Sequence, residues 1–334
     1  MKGLDCSATS VMTTTKRLAS MDIAKFFAIY FVVWGHQYAL FSDLAQGNIK
    51  RIIYSFHMPL FMLISGFFAH SALHSNFRQL VSKKARQLLL PVALCTLLEI
   101  AFTYLTTGSM GLHQARGIVV GNSWFIKTLF CILIVAFLAL KVTRKPTIAC
   151  ILSCVVMFIM PHAYSLKLNY LLPFFWFGYL LRNNQCCFER HIKAITAAAL
   201  IVFVFSFEFI YKGFFDISIS TLTSSPMPII GNYVTATAGC FMMLGVSFAI
   251  DHYLKCSKIK SVMCNIGQKT LEIYLLQTII LLTIIGNLFS YKTNVVVEDL
   301  LATVLSFVII FFVLYIAKII NRNKYAKLLF FGKI

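Results

Sequence analysis

The sequence predicts an all-α membrane protein, a polytopic transmembrane helical bundle with about ten spans and both termini in the cytoplasm. The first observation behind this prediction is composition, because 59% of the 334 residues are hydrophobic and only 12% are charged. The mean hydropathy of +0.82 is far above that of a soluble domain. The second observation is that apolar stretches of about 15 to 22 residues, close to the length of a membrane-crossing helix, recur along the chain. The third is the distribution of basic residues between them.

Ten apolar stretches are predicted to be spans, and only short connections separate them. In order, they cover residues 23–42, 52–73, 88–107, 121–140, 146–163, 168–181, 194–211, 229–250, 270–290 and 299–320. No long polar region marks a second domain, so we expect one ten-helix membrane domain over residues 21–320. A polar N-terminal tail, residues 1–20, and a basic C-terminal tail, residues 321–334, would both lie in the cytoplasm.

Basic residues dominate the polar connections and give the chain a net charge of +19. With ten spans and both termini inside, most of the 30 Lys and Arg residues fall on the cytoplasmic side, in agreement with the positive-inside rule. The opposite orientation would invert that asymmetry. The charge is explained by membrane lipids with anionic headgroups and requires no nucleic acid. We therefore predict a multi-pass protein of the inner cell membrane.

The ten cysteines predict neither a disulfide framework nor a metal site. They lie in predicted spans or on the reducing cytoplasmic side, where disulfides are rare. Cys150 and Cys154 are one helical turn apart, but no histidine or acid accompanies them as it would in a zinc site. We therefore interpret most of them as small core residues.

The first span contains Lys25 and His36, eleven positions apart. At about 100° per residue, the two side chains share one helix face within about 20°, and they are about 16 Å apart along the axis. Ionisable groups inside a membrane helix are costly to keep and therefore indicate a polar pathway or a reaction site. The alternatives are an ion pair between Lys25 and Asp22, one turn earlier, and a His36 that is simply hydrogen-bonded inside the bundle.

The second span carries another histidine at a matching depth. His57 lies about five residues from the outer end of its span and His36 about six from the outer end of the first, so neighbouring helices bring both to a similar level. Pro59 removes one backbone hydrogen bond, and the pair Ser65-Gly66 permits close helix approach or a kink. A histidine hydrogen-bonded in the bundle remains the structural alternative for His57.

Five motifs follow one another in a recognisable order. Lys25 is followed by ten residues and then His36, and residues 56–67 read Phe-His-Met-Pro-Leu-Phe-Met-Leu-Ile-Ser-Gly-Phe. The other three are the basic run 83–91, the triplet Ser123-Trp124-Phe125 and residues 267–277. Together they resemble the acyltransferase 3 family of membrane acyltransferases, especially members similar to fucose O-acetylases. Each motif alone is short, but five in the right order are a specific signature.

The resemblance implies transfer of an acyl group, usually acetyl from acetyl-CoA, to a sugar hydroxyl of a surface polysaccharide or its lipid-linked precursor, with no tightly bound cofactor. A hydroxyl that attacks a thioester needs a base, and histidine is the usual one near neutral pH. We therefore predict His36 as the general base and His57 as a second catalytic residue. Lys25, helped by Arg86, is predicted to hold a phosphate of the donor, because an extended pantetheine arm is comparable to the roughly 16 Å between Lys25 and His36.

Four further residues are candidates for the site. Trp124 could donate to the tetrahedral oxyanion or belong to the interfacial aromatic belt, and Ser65 is a candidate beside its packing role. Glu99 falls in the middle of its span, where it could orient a histidine or be protonated and hydrogen-bonded. Gln277 stands where many family members carry a histidine. Because Gln hydrogen-bonds but exchanges no proton near neutral pH, a substrate contact is the role left open for it.

A transporter or flippase of a lipid-linked glycan is the main alternative class, because buried His, Glu and Lys residues also suit a proton-coupled carrier. Against this alternative, the two halves of the sequence show no repeat and no matched pair of interrupted apolar segments. The enzyme is therefore the favoured interpretation.

Overall fold

The computed structural model describes residues 18–37, 40–41, 47–159, 166–211, 213, 217, 219–255, 257–285 and 294–333. Throughout these ranges the chain forms helices joined by turns, with no β-strand. In chain order the helices are α1 (Ala19–His36), α2 (Asn48–Phe67), α3 (His70–Leu73), α4 (Phe77–Thr107), α5 (Leu112–Gly121), α6 (Trp124–Thr143), α7 (Pro146–Ile159), α8 (Leu168–Asn183), α9 (Gln185–Phe209), α10 (Ile219–Ser224), α11 (Pro226–Tyr253), α12 (Lys258–Gln268), α13 (Thr270–Gln277), α14 (Val295–Ile320) and α15 (Lys324–Phe331). The all-α class is confirmed.

Each of the ten predicted spans overlaps at least one of these helices. Residues 38–39, 42, 160–163 and 286–290 of the spans lie outside the described residues, as do residues 1–17 of the predicted tail. In the described part of the chain, five helices are long and apolar enough to cross a membrane, namely α4, α6, α9, α11 and α14. A helix satisfies its own backbone hydrogen bonds, which a bilayer requires. α7 is a shorter apolar helix, and so is the helical run Thr270–Leu281, which begins with α13. Ten crossings and the cytoplasmic position of both termini stay predictions.

Helix α1 lies at the centre of the bundle, where it contacts α2, α11, α12, α13 and α14. Its large side chains Met21, Ile29 and Trp34 are almost completely buried. By contrast, α9 and α14 expose many Leu, Val, Ile and Phe side chains, as expected of helices that face lipid. The helix that carries both predicted ionisable residues is thus surrounded by protein, which is the environment that such residues need in a membrane.

Helices α2 and α8 approach each other closely because each presents a glycine at the contact. A Cβ atom on Gly66 would overlap the backbone carbonyl of Phe175, and one on Gly178 would overlap the carbonyl of Leu63. Small residues allow membrane helices to bring their backbones together in this way. The sequence Ser65-Gly66 therefore serves close helix packing, and this packing holds the depth and rotation of α2.

The C-terminal end of the chain packs onto the bundle through α15, which contacts α4 and α13. Gly332 takes a φ of +61° where it meets the backbone carbonyl of Arg86, a conformation typical of a glycine that ends a helix. The next residue, Lys333, places its Nζ 2.6 Å from Oε1 of Glu272 near the start of α13. The predicted basic tail thus contains a helix that lies beside Arg86.

Candidate active site

Both predicted catalytic histidines line one cavity of about 390 Å³ between α1, α2, α6, α8 and α13, which we call the histidine cavity. His36 is the last residue of α1 and His57 lies at the middle of α2. The structure therefore brings together two side chains that the sequence placed at matching depth. The other polar or aromatic side chains of this cavity are Lys50, Tyr54, Trp124, Lys167, Tyr170 and Tyr274.

His36 contacts the side chain of Gln277, which comes from the far end of the sequence. Nδ1 of His36 lies 3.1 Å from Oε1 and 2.8 Å from Nε2 of Gln277. Gln277 is completely buried, and its Nε2 also lies 3.2 Å from the carbonyl of Tyr274 and 3.0 Å from the hydroxyl of Thr278. Gln277 therefore contacts His36, the predicted general base. Nothing in the sequence indicated that these two side chains meet.

His57 is oriented by its own helix. Its Nδ1 lies 2.8 Å from the backbone carbonyl of Ile53, and because a carbonyl only accepts, this nitrogen carries the hydrogen in the neutral ring. The other ring nitrogen, Nε2, is then a hydrogen-bond acceptor. The ring of Tyr54 lies 4.9 Å from that of His57, and its hydroxyl donates to the carbonyl of Gly35 at 3.2 Å. Tyr54 thus connects α2 to the end of α1 next to His36.

Trp124 begins α6 and forms one wall of the histidine cavity. The ammonium group of Lys167 lies 5.1 Å from the centre of the Trp124 ring. On another wall, the ammonium group of Lys50 lies 5.2 Å from the centre of the Tyr54 ring. Cations over aromatic faces are mutually stabilising when partly desolvated. The cavity therefore combines flat aromatic surfaces, positive charge and two imidazoles.

The turn before Trp124 is held by Glu99. Ser123 has a φ of +49°, an unfavourable conformation for a residue with a Cβ atom. Its hydroxyl donates to Oδ1 of Asn122 at 2.7 Å, and the amide of Asn122 donates in turn to the carboxylate of Glu99 on α4. Of the two sequence-based alternatives for Glu99, the structure shows a hydrogen-bonded carboxylate beside the Trp124 turn rather than beside either predicted histidine.

Lys25 lines a second cavity of about 250 Å³, the Lys25 cavity, together with Ser65 and Lys84. Its Nζ lies 3.2 Å from Oδ1 of Asp22 and 4.2 Å from the centre of the Phe68 ring. The ion pair one turn earlier is therefore present, and the same lysine also faces a cavity. The geometry is therefore compatible with both interpretations of Lys25, as the partner of Asp22 in an ion pair and as a side chain that binds a donor phosphate.

Asp22 also connects α1 to α12, because its Oδ2 accepts a hydrogen bond from Nε2 of Gln268 at 2.9 Å. The hydroxyl of Ser65 is committed locally, since it donates to the carbonyl of Phe61 in its own helix at 2.8 Å. Ser65 is therefore a wall of the Lys25 cavity whose hydrogen is already engaged.

Arg86 lines a third cavity of about 450 Å³, the Arg86 cavity, together with Lys83 and Lys84. It lies in the π-helical part of α4, Ala85–Leu89. The other polar side chains of its lining are Ser71, Ser75, Gln79 and Ser82. The Lys25 and Arg86 cavities share the side chains of Phe68, Ala72 and Lys84 and are therefore neighbours. Basic side chains and hydroxyl groups thus surround a two-part recess that contains both predicted donor-binding residues.

Three aromatic rings lie between the Lys25 cavity and the histidine cavity. The ring centre of Phe125 lies 5.8 Å from that of Phe61, which lines the Lys25 cavity. It lies 6.3 Å from that of Tyr274, which lines the histidine cavity. Phe125 itself is buried. We call these three residues the aromatic layer.

The sequence did not single out several residues of the site. Lys50, Tyr54 and Tyr170 line the histidine cavity, although lysines and tyrosines near span ends are ordinarily interfacial residues. Glu298, which lines none of the three cavities, was not singled out either and is completely buried near the start of α14. A carboxylate in the first turn of an apolar helix was the signal that could have identified it, because such a group is costly in a membrane.

Comparison with known proteins supplies the family. Residues 18–319 match the model of the acyltransferase 3 family, described as an acyltransferase domain. Nodulation protein NolL of Sinorhizobium fredii (strain NBRC 101917 / NGR234) is 28% identical over 310 residues, which cover 84% of this chain and 83% of that protein. Nodulation protein NolL of Mesorhizobium japonicum (strain LMG 29417 / CECT 9101 / MAFF 303099) is 33% identical over 183 residues, covering 50% of this chain and 48% of that protein. No solved structure shows a significant match.

The family match extends over nearly the whole bundle and includes α1, α2 and α13, the helices that carry His36, His57 and Gln277. The resemblance seen in the sequence motifs is thereby confirmed, and it supports an enzyme rather than a carrier. Helices long and apolar enough to cross a membrane agree with this assignment. The chain belongs to the acyltransferase 3 family and is a membrane acyltransferase.

Proposed function

We propose that this enzyme is an O-acetyltransferase of the inner cell membrane that moves an acetyl group from acetyl-CoA to a sugar hydroxyl of a surface polysaccharide or its lipid-linked precursor. The observation that carries the proposal is the histidine cavity, in which two imidazoles meet aromatic and cationic side chains. The Lys25 and Arg86 cavities, which together form a basic recess at the other end of α1 and α2, support a donor that carries phosphate groups. Family membership supports the reaction class.

The donor would bind with its phosphates in the basic recess. Lys25, Lys84 and Arg86 offer ammonium and guanidinium donors there, which suit phosphate oxygens. From Lys25, about 16 Å along α1 lead to His36, a distance comparable to an extended pantetheine arm. The aromatic layer lies on this route, so Phe125 and its two neighbours have to move apart when the arm enters. The thioester then reaches the histidine cavity.

In the transfer step, His36 accepts the proton of the sugar hydroxyl while the hydroxyl oxygen forms a bond to the thioester carbonyl carbon. The tetrahedral intermediate collapses as the carbon–sulfur bond breaks, and His36 returns the proton to the leaving thiolate. The products are an acetyl ester of the sugar and free CoA. The developing oxyanion needs a donor, for which we assign the indole N–H of Trp124. A neutral His57 offers only an accepting nitrogen to the cavity and suits a sugar hydroxyl instead.

The acceptor would lie against the aromatic walls of the histidine cavity. Tyr54, Trp124, Tyr170 and Tyr274 provide ring faces together with polar N–H and O–H groups. Such amphipathic walls suit a sugar ring, whose hydroxyls need hydrogen-bond partners and whose C–H faces are apolar. The histidine cavity lies at the opposite end of α1 from Lys25, so we expect donor and acceptor to enter from opposite ends.

The test supplies labelled acetyl-CoA to membranes that contain the protein and follows label in the glycan fraction. His36→Ala should lower the initial rate by about 10²- to 10⁴-fold, the usual contribution of a general base. His113→Ala is the matched control, because His113 is an exposed histidine on α5 outside the three cavities, and it should keep the wild-type rate. Undiminished labelling by His36→Ala contradicts the proposal. Normal acetylation together with loss of glycan export in a deletion strain would favour the flippase.

A further inference from the structure

We propose that Gln277 is a positioning residue that holds the hydrogen of His36 on Nδ1 and so leaves Nε2 free to accept a proton. The inference rests on the proposed acyl transfer. It assigns to Gln277 a role that needs no proton exchange by its own side chain, which an amide cannot provide near neutral pH. The argument depends on which end of the amide faces His36, and the neighbours of Gln277 determine that orientation.

Thr278 and Tyr274 determine the orientation of the amide. The hydroxyl of Thr278 donates its single hydrogen to the carbonyl of Tyr274 at 2.8 Å, so towards Gln277, at 3.0 Å, it can only accept. The carbonyl of Tyr274, 3.2 Å from the same terminal atom of Gln277, also only accepts. That atom must therefore be the amide nitrogen, because an oxygen there would face two acceptors. The oxygen of the amide is then the end that is available to His36 as an acceptor.

The oriented amide in turn selects one form of the imidazole. The two hydrogens of the amide nitrogen are directed to Tyr274 and Thr278, so Nδ1 of His36 has Oε1, at 3.1 Å, as its hydrogen-bond partner in Gln277 although the amide nitrogen also lies 2.8 Å away. Nδ1 then donates, and in a neutral ring Nε2 carries a lone pair. In the opposite form, the amide nitrogen would donate to Nδ1 at 2.8 Å, which leaves Oε1 unpaired in a buried position. That form would also protonate Nε2 and prevent it from acting as a base. Only the form of His36 with its hydrogen on Nδ1 gives the amide oxygen and the amide nitrogen of Gln277 suitable partners, and this is the form whose Nε2 can act as a base.

The helix that carries Gln277 changes its geometry directly after this residue, which supports a functional role for it. Gln277 is the last residue of α13 before a π-helical segment, Thr278–Ile285. π-Helical segments inside α-helices are frequent at functional sites, because the extra residue per turn re-aims the neighbouring side chains. Gln277 is also completely buried, so its amide geometry is held by packing as well as by hydrogen bonds. A side chain so held keeps the ring of His36 in one orientation.

The test compares Gln277→Leu with Gln277→Glu, which keeps an accepting oxygen at the same reach. We expect Gln277→Leu to lower kcat at least tenfold while the KM for acetyl-CoA changes less than twofold. Gln277→Glu should recover part of kcat, in the form whose carboxyl O–H donates to the carbonyl of Tyr274 while the other oxygen accepts from His36. Gln37→Leu is the matched control, because Gln37 is a buried glutamine next to His36 whose amide instead donates to Ala302 and Ser306. It should keep the wild-type kcat per folded molecule, with folded protein quantified by size-exclusion chromatography.

The outcomes separate this inference from the proposed function. If the wild type transfers no acetyl group, the proposed function fails. If the wild type is active and His36→Ala is inactive, but Gln277→Leu keeps its kcat, the positioning role is overturned while the proposed function stands. If Gln277→Leu, Gln277→Glu and Gln37→Leu all lose activity in proportion to folded protein, Gln277 serves only the fold, and the inference is likewise overturned.

Discussion

Replacing Lys25 with methionine should weaken donor binding and leave the chemical step intact. The substitution keeps an unbranched side chain of similar length but removes the charge that would contact a donor phosphate. A hydrogen bond to a charged group contributes about 1.5–3 kcal/mol, which corresponds to about a 10- to 150-fold change in affinity. Because Lys25 also pairs with Asp22 at 3.2 Å, we expect the lower end, about a tenfold increase in the KM for acetyl-CoA.

Asp22→Asn is the companion variant, because it removes the acidic partner of Lys25 and leaves the lysine in place. Its amide can still contact Gln268, which now bonds Oδ2 at 2.9 Å, so α1 and α12 stay connected. If Lys25 holds a phosphate, this variant keeps a wild-type KM or lowers it. If Lys25 serves only the ion pair, both variants reduce the amount of folded protein to a similar extent and neither changes KM.

The assay measures initial rates of labelled acetyl transfer over a range of donor concentrations, in membranes with equal amounts of folded protein. Acetyl-pantetheine serves as the second donor, since it carries the thioester and the arm but no phosphate. Lys25→Met and the wild type should use it equally well. A KM for acetyl-CoA that stays at the wild-type value in Lys25→Met refutes the assignment of Lys25 to the donor.

Two further predictions concern packing and the oxyanion. Gly66→Ala should destabilise the bundle by about 1–3 kcal/mol or more, because its Cβ meets the backbone of α8, and we expect a lower thermal midpoint in detergent. Gly117→Ala, whose Cβ would meet no atom within 4 Å, is its control and should leave that midpoint unchanged or raised. Trp124→Phe keeps an aromatic wall but removes the indole N–H, so kcat should fall by about 10²-fold with little change in the KM for acetyl-CoA. A wild-type kcat in that variant would exclude Trp124 as the oxyanion donor.

The membrane class and the helical segments followed from the sequence, because they depend on local properties. A long apolar stretch with few charges is stable in a bilayer only as a helix, and each of the ten predicted stretches overlaps helical segments. The geometry within one helix is equally local. The distance between Lys25 and His36 follows from helical rise and rotation alone, and so does the pairing of Lys25 with Asp22, which the sequence raised as an alternative.

The partners of the functional side chains were decided by tertiary structure. His36 and Gln277 are 241 positions apart, and nothing in either segment indicates that their side chains meet. The carboxylate of Glu99 likewise accepts a hydrogen bond from Asn122, which lies between α5 and α6, although the sequence had also suggested a histidine as its partner. Such contacts depend on which faces of the helices turn towards each other. At Gly66, for example, the backbone of α2 approaches the backbone of α8 so closely that no Cβ atom fits between them, and this contact fixes which face of α2 is turned towards α8. The pattern of apolar residues in the sequence does not show which helices approach each other in this way.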